Sequence, residues 1–255
     1  MDDATFLHRR RLSQIVGYRG IGSASPGARC RDVRPGLLAS VVPVTPSASL
    51  PNSVLYLDPE SVLDAYDELV AIYAAAGVRA WTVWVVPQDD ELAAELEARG
   101  HALDGTPTMM AAGIDELDLD RGDELDLDPE PTWDAIGALC DLAFGLPPGS
   151  LAPGLAGMTH PALRPWVARL DGDPAACLAT IDGPDGDCSL QFVATAPAAR
   201  GRGLATALVR CALRDARERG ATTVSLEASA MGAPVYARLG YRAFGPVRMF
   251  ERRER

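Results

Sequence analysis

The segment from Ser189 to Tyr241 has the clearest secondary-structure pattern in the sequence. It reads SLQFVATAPAARGRGLATALVRCALRDARERGATTVSLEASAMGAPVYARLGY. Apolar residues recur at helical spacing over 203–219, which predicts an amphipathic helix that ends at Gly220. Apolar runs over 188–195 and 222–229 predict a strand on either side of it. The segment therefore predicts a β-α-β unit.

Three arginines, Arg210, Arg214 and Arg217, share the polar side of this helix. They could form an anion-binding patch. Charges on the outer face and the last turn of a helix more commonly meet solvent and complement the helix dipole. We expect these arginines to be solvated.

Two glycines, Gly201 and Gly203, stand directly before the helix. Glycine lets the backbone approach a ligand closely, and the free N–H groups of a first helical turn bind anions, so a pyrophosphate would fit here. A P-loop is excluded because its motif needs a lysine, and the chain has none. A Rossmann fingerprint is disfavoured because Thr206 holds the third small position and too little chain follows to complete a doubly wound sheet.

The loop resembles the phosphate loop of the GCN5-related N-acetyltransferase (GNAT) superfamily, [RQ]-x-x-G-x-[GA], which Arg200, Gly203 and Ala205 match. The preceding VATAPAAR is similar to that family's passage from strand to loop. The resemblance is clear over 185–245 and extends more weakly over 123–255. It implies the acyl-CoA N-acyltransferase fold, a layered α/β (α+β) architecture with a mixed central sheet flanked by helices. It also implies acetyl-CoA as cosubstrate and no metal.

The resemblance further implies how acetyl-CoA would be held, in a gap between the two parallel strands. Its pantetheine arm would pair with main-chain groups of Phe192, Val193 and Ala194. Ser229 stands where the family often has a cofactor-contacting asparagine, and its hydroxyl can still form a hydrogen bond. Backbone N–H groups of the loop would bind the pyrophosphate: Arg200, Gly201, Arg202, Gly203, Leu204 and Ala205.

Two candidate catalytic residues follow the loop. Tyr236 matches the family's tyrosine that protonates the departing CoA thiolate, although a lone tyrosine there could equally be a packing residue. Glu227 is the first candidate for the base that accepts the amine proton, although its strand face could simply be exposed to solvent. Asp187 and Gln191 are weaker candidates, the latter for positioning water.

The stretch 144–161 is rich in glycine and proline and lies where the family usually builds its acceptor pocket. Its His160 fits a surface histidine better than a base. No cysteine stands in a nucleophile arrangement, which favours direct attack by a primary amine of a small molecule or peptide. Two alternatives stay open: a catalytically silent acyl-CoA-binding or interaction module, and transfer of a longer acyl group.

The rest of the C-terminal half predicts a helix over 133–144. Strands are predicted near 164–170, 175–181 and 188–194. The N-terminal half predicts a similar order, β-β-α-β-α-β, with strands and helices at 37–44, 53–57, from Pro59 onward, 79–86, 89–99 and 101–114.

A tandem duplication is therefore our hypothesis, with a degenerate GNAT-like domain over 1–120 and a catalytic N-acetyltransferase domain over 123–255. The segments LEARGHAL (96–103) and YARLGYRAF (236–244) each end a helix at glycine and re-enter a strand. The first half lacks the phosphate loop, because its strand runs directly into Asp58-Pro59. We expect it to support the catalytic half, shape its pocket or mediate formation of a homodimer.

Composition sets the remaining limits. The formal net charge is -11, and 115–130 holds nine acidic residues against Arg121 alone, so we place a linker there. No basic stripe or bilayer-length apolar run is present, which disfavours nucleic acid and membrane as partners. The five cysteines lack metal-ligand spacing, which fits a reducing cytoplasm, and a chain without lysine but rich in alanine and glycine suggests a GC-rich bacterial genome.

Overall fold

The computed structural model describes residues 2–121 and 124–254. Its α-helices are α1 (Asp3–Ile21), α2 (Pro59–Asp64), α3 (Tyr66–Ala75), α4 (Asp90–Ala98), α5 (Trp133–Phe144), α6 (Ala152–Leu155), α7 (Leu204–Glu218) and α8 (Ala233–Leu239). Its strands are β1 (Arg29–Arg34), β2 (Leu37–Val41), β3 (Ser53–Tyr56), β4 (Ala80–Val85), β5 (Ala102–Gly105), β6 (Thr108–Gly113), β7 (Asp126–Leu127), β8 (Leu163–Leu170), β9 (Asp173–Asp182), β10 (Asp187–Thr195), β11 (Thr223–Ala228), β12 (Arg242–Pro246) and β13 (Arg248–Arg253).

The described strands form two mixed sheets, which confirms the predicted fold class. One sheet has the order β1-β2-β3-β4-β13-β5, and the other β12-β6-β11-β10-β9-β8-β7. The parallel pairs are β3 with β4 and β10 with β11. Each half thus places one parallel pair at the centre of its sheet, between antiparallel neighbours.

The two halves exchange strands. Strand β6 belongs to the first half in sequence but pairs with β11 and β12 of the second sheet. Strand β13 belongs to the second half in sequence but pairs with β4 and β5 of the first sheet. The division into 1–120 and 123–255 stays a prediction, and residue 123 itself lies outside the described residues. Each sheet contains one strand from the other side of that boundary.

Helix α1 was not predicted, and it lies between the two sheets. It contacts β2 and β3 of the first sheet and β9, β10 and β11 of the second. Its buried face includes Arg10, Ser13, Gln14 and Gly17, so apolar periodicity does not reveal it. A side chain at Gly17 would place its Cβ 2.7 Å from Ile181, so glycine permits the close contact with β9.

The polar side of α7 differs from our expectation. Arg210 is buried, and its Nε donates a hydrogen bond to the carbonyl of Asp118 at 2.9 Å. Arg214 donates to two backbone carbonyls within 119–121, and Arg217 lies 3.5 Å from a carboxylate of the same segment. The prediction that these arginines only meet solvent was wrong, because they hold the start of the acidic segment against α7.

Candidate active site

A cavity opens where β10 and β11 separate. Their parallel pairing covers Asp187–Ser189 against Thr223–Ser225 and then stops. Beyond that point residues of both strands line a cavity of about 820 Å³. This volume falls within the range of small-molecule sites, about 300–1,000 Å³. The separated parallel strands therefore provide a ligand-sized space in the second half.

A bulge lies in β10 beside this cavity. The register with β9 shifts at Phe192 and Val193 and resumes at Ala194. Phe192 has φ 55°, a left-handed conformation that is unfavourable for a bulky residue and commonly marks a functional site. Its carbonyl lies near two thiols, 3.4 Å from Cys177 and 3.8 Å from Cys140. The bulge thus takes Phe192 and Val193 out of the ladder with β9.

The glycine loop forms one end of the cavity. Gly201 and Gly203 have φ 74° and 79°, and Gly203 is the N-cap of α7 without a side-chain hydrogen bond to the helix. The Arg200 side chain donates to the carbonyls of Ala143 at 2.7 Å and Thr195 at 3.3 Å, which fixes the loop to the end of α5. Free first-turn N–H groups and left-handed glycines make this end suited to an anion.

Most of the predicted cofactor-binding residues line the cavity together. The exception is Arg202, which is exposed and lies outside the lining. Ser229 lines the cavity, and its hydroxyl oxygen accepts a hydrogen bond from the backbone N–H of Gly232 at 3.1 Å. The others that line it are Phe192, Val193, Ala194, Arg200, Gly201, Gly203, Leu204 and Ala205.

Tyr236, in α8, lines the cavity and is only 6% exposed. Its ring packs against Tyr241, with the ring centres 5.6 Å apart. Burial raises the pKa of Tyr236 above its usual 10, so the phenol keeps its proton at neutral pH. Within the described chain no residue hydrogen-bonds to its hydroxyl. The phenol is therefore a protonated donor beside the cavity.

Glu227 lines the cavity and forms an ion pair with Arg10 of α1. Arg10 is 1% exposed, and burial lowers its pKa to about 10, which leaves the guanidinium charged at neutral pH. Helix α1 contacts β11, and Ser225, which lies on the same strand face as Glu227, is buried. Arg10 could not be predicted as the partner of Glu227, because 217 residues separate the two in the sequence.

The weaker candidates fall in different places. Asp187 is buried and outside the cavity lining, and its carboxylate accepts hydrogen bonds from hydroxyl groups on α1 and β11. Gln191 lines the cavity, as its predicted role requires. His160 is half-buried outside the lining, and its Nδ1 accepts from the backbone N–H of Ala162 at 3.3 Å.

Within 2–121 and 124–254 no cluster of side chains has the composition of a metal site. Over the same residues no helix is both long and apolar enough to cross a membrane.

Residues 139–241 match the model of the acetyltransferase (GNAT) family. A GCN5-related N-acetyltransferase from Kribbella flavida is similar in structure, with a TM-score of 0.63 at 17% identity over 94% of this chain and 95% of that one. A tandem GNAT protein from the clavulanic acid biosynthesis pathway has a TM-score of 0.57 at 13% identity, over 95% and 94% of the two chains. No curated protein matches the sequence.

Proposed function

We propose that this chain, whose residues 139–241 match the acetyltransferase (GNAT) family, is a GNAT acetyltransferase that transfers acetyl from acetyl-CoA to a primary amine of a small molecule or peptide. The observation that carries the proposal is the cavity between β10 and β11, which the glycine loop and Tyr236 line together. The anion site at one end of the cavity would bind the pyrophosphate of acetyl-CoA. The protonated phenol in the same cavity would donate its proton to the leaving thiolate.

The loop from Arg200 to Ala205 would bind the pyrophosphate through backbone N–H groups, as the free first turn of α7 supports. Main-chain groups of Phe192, Val193 and Ala194 would pair with the pantetheine arm, and the bulge in β10 supports this role for the first two. Ser229, which follows β11 on the opposite side of the cavity, would contribute a hydroxyl. Most of this binding is to the backbone, so it depends on conformation more than on side chains.

In the reaction the amine nitrogen attacks the thioester carbonyl, a C–N bond forms and the C–S bond breaks. Tyr236 donates its proton to the departing thiolate. Glu227 accepts the proton that the amine loses, directly or through water. No covalent enzyme intermediate is required, since the new bond forms directly between substrate and acetyl group.

The proposal is tested by calorimetric titration of acetyl-CoA into the wild type and Gly203→Val. Valine at φ 79° forces the loop to change, which removes hydrogen bonds to a charged group and weakens binding about 10- to 100-fold. Gly77→Val is the matched control, because Gly77 has φ 69° and equally open surroundings and does not line the cavity. A wild type that does not bind acetyl-CoA would remove the proposal.

We also propose that 1–120 is a degenerate GNAT-like half and 123–255 the catalytic domain. The repeated order of elements and the ligand-sized cavity between β10 and β11 support this assignment. The five cysteines are all unpaired, which supports a reducing cytoplasm as the location.

A further inference from the structure

We propose that Arg10 of α1 is a positioning residue that keeps Glu227 charged and directed at the acceptor amine. The N-terminal half would thereby complete the acceptor side of the catalytic site. This inference rests on the proposed acetyltransfer for its functional meaning, whereas the interaction between the two side chains can be measured without turnover.

The contact between the two side chains is nearly exclusive for Arg10. Its Nη2 donates to Oε2 of Glu227, while its Nε and Nη1 are buried and have no hydrogen-bond partner in the described part of the chain. A buried guanidinium needs a nearby negative charge to offset the cost of removing it from water. Glu227 provides that charge and is 11% exposed, against 1% for Arg10.

Asp187 supports the charge of Arg10 without competing for its hydrogen bond. Its oxygens are occupied by the hydroxyls of Ser13 at 2.7 Å, Thr223 at 2.9 Å and Ser225 at 2.7 Å. Its negative charge acts on Arg10 through space and favours the protonated guanidinium. The buried layer thus contains one cation and two carboxylates, of which only Glu227 also lines the cavity.

Other ionisable groups near the pair are phenols or lie farther toward solvent. Burial raises the pKa of Tyr18 of α1 to about 12, so its phenol is uncharged at neutral pH, and Tyr236 faces the same cavity from α8. Arg9 is half-buried and donates hydrogen bonds to the hydroxyls of Thr222 and Thr223 instead. Arg10 is therefore the cation in contact with the Glu227 carboxylate.

This arrangement indicates which charge the acceptor carries when it binds. One oxygen of Glu227 accepts from Arg10, and the other, Oε1, has no hydrogen-bond partner in the described residues. A carboxylate that a buried guanidinium stabilises stays ionised at neutral pH and attracts a cation. We therefore infer that the acceptor arrives as an ammonium ion and that Glu227 binds it and takes its first proton, which frees the amine to attack. The second proton, lost from the nitrogen after the C–N bond forms, passes to water.

The first measurement follows the Glu227 carboxyl carbon by NMR in full-length protein labelled with ¹³C-glutamate, with Glu227→Gln providing the assignment. Removal of the guanidinium in Arg10→Met raises the titration midpoint by about one to three pH units. Arg10→Lys keeps a positive charge beside Glu227 and therefore raises the midpoint less than Arg10→Met does. It serves as the test if the methionine variant does not fold. Arg9→Met is the matched control on the same helix and leaves the midpoint unchanged. An unchanged midpoint in Arg10→Met and Arg10→Lys overturns the proposal.

The second measurement separates positioning from a general structural role. In the wild-type background Arg10→Met raises KM for the amine at saturating acetyl-CoA, whereas in the Glu227→Gln background it changes KM little, because its partner is already removed. Equal losses in both backgrounds overturn the positioning role. Failure of the wild type to bind acetyl-CoA in calorimetry would instead remove the acetyltransferase function, while the NMR titration still decides whether Arg10 controls Glu227.

Discussion

The two halves share a topology but differ where their central parallel strands separate. In the second half the pairing of β10 with β11 ends at a cavity. In the first half β3 and β4 pair only over Ser53 and Val54, yet Tyr56 follows and its hydroxyl donates to Asp89 at 2.6 Å and accepts from the Val86 N–H at 3.3 Å. One tyrosine thus bridges from β3 to the chain beyond β4.

The helix that follows each of these strands begins differently. Helix α7 begins after Gly203, which offers no side chain to its first turn. Helix α2 begins after Asp58, whose carboxylate accepts from the N–H of Glu60 at 3.2 Å, and Pro59 removes another donor. The first turn of α2 is therefore capped by an acidic side chain, whereas the first turn of α7 has no side-chain cap. A few residues at the strand ends thus distinguish the region that opens into a cavity from its counterpart in the first sheet.

The largest expected effect is on kcat, at a position where the two halves carry different residues. Counting back from the helix-ending glycines, Gly240 and Gly100, Tyr236 in the second half corresponds to Leu96 in the first. Tyr236→Phe removes the proposed acid and lowers kcat about 100- to 10,000-fold with acetyl-CoA affinity retained. Tyr73→Phe, at a buried tyrosine of the first half, is the control. Steady-state kinetics with unchanged kcat in Tyr236→Phe would exclude the tyrosine as the acid.

The next prediction tests whether the halves unfold together. Phe250 is buried in β13, the strand that the second half contributes to the first sheet, and Phe250→Ala leaves a cavity that lowers the free energy of unfolding by about 3–5 kcal/mol. Because each sheet contains a strand from the other half, we expect one cooperative transition. Urea unfolding followed by fluorescence and circular dichroism measures it. Two transitions, of which only one moves, would show that the halves are independent.

The pH dependence of stability also distinguishes the two halves, through His101. This residue follows Gly100 in the first half as Tyr241 follows Gly240 in the second. It is buried, its Nδ1–H donates to the carbonyl of Phe250, and its Nε2 accepts from the Tyr66 hydroxyl. Burial lowers its pKa from 6.5 to about 4.

Between those pH values the unfolded chain binds the proton and the folded chain does not, so stability falls as pH drops through this window, by about 3 kcal/mol in total. Denaturant unfolding at several pH values, compared with His101→Phe, isolates this contribution. Parallel stability curves for the two proteins between pH 6.5 and 4 would contradict it.

The smallest expected effect is on stability and comes from the N-cap of α2 in the first half. Asp58→Ala removes an N-cap and lowers stability by about 1 kcal/mol. It does not create a second cofactor site, because Pro59 and Tyr56 remain, so calorimetry still gives one acetyl-CoA per chain. A stoichiometry of two, in the wild type or the variant, would mean that the first half is not degenerate.

The elements around the cavity could be predicted because their patterns are local. Helix α7 has a continuous apolar face, and glycines mark both of its ends, so its predicted range differs from the observed one by a residue at each end. Helix α1 could not be predicted in the same way, since Arg10, Ser13 and Gly17 form part of its buried face. Its role depends on partners such as Glu227 that are far away in sequence.

The exchange of strands could not be predicted either. The residues of β6 (TMMAAG) and β13 (RMFERR) do not indicate which sheet each strand will join. The polar side of α7 was misjudged for a related reason, because Arg210 and Arg214 donate to backbone carbonyls, which every residue carries.

The position of β13 also constrains the order of events during synthesis. It lies between β4 and β5, which are complete once about residue 105 has been made, yet its own residues are 248–253. Until then the first sheet has an open slot between two strands, with unpaired backbone groups that could bind another chain. The first sheet therefore cannot be completed until residues 248–253 have emerged from the ribosome, and its unpaired strand edges are exposed to other chains and to chaperones in the interval.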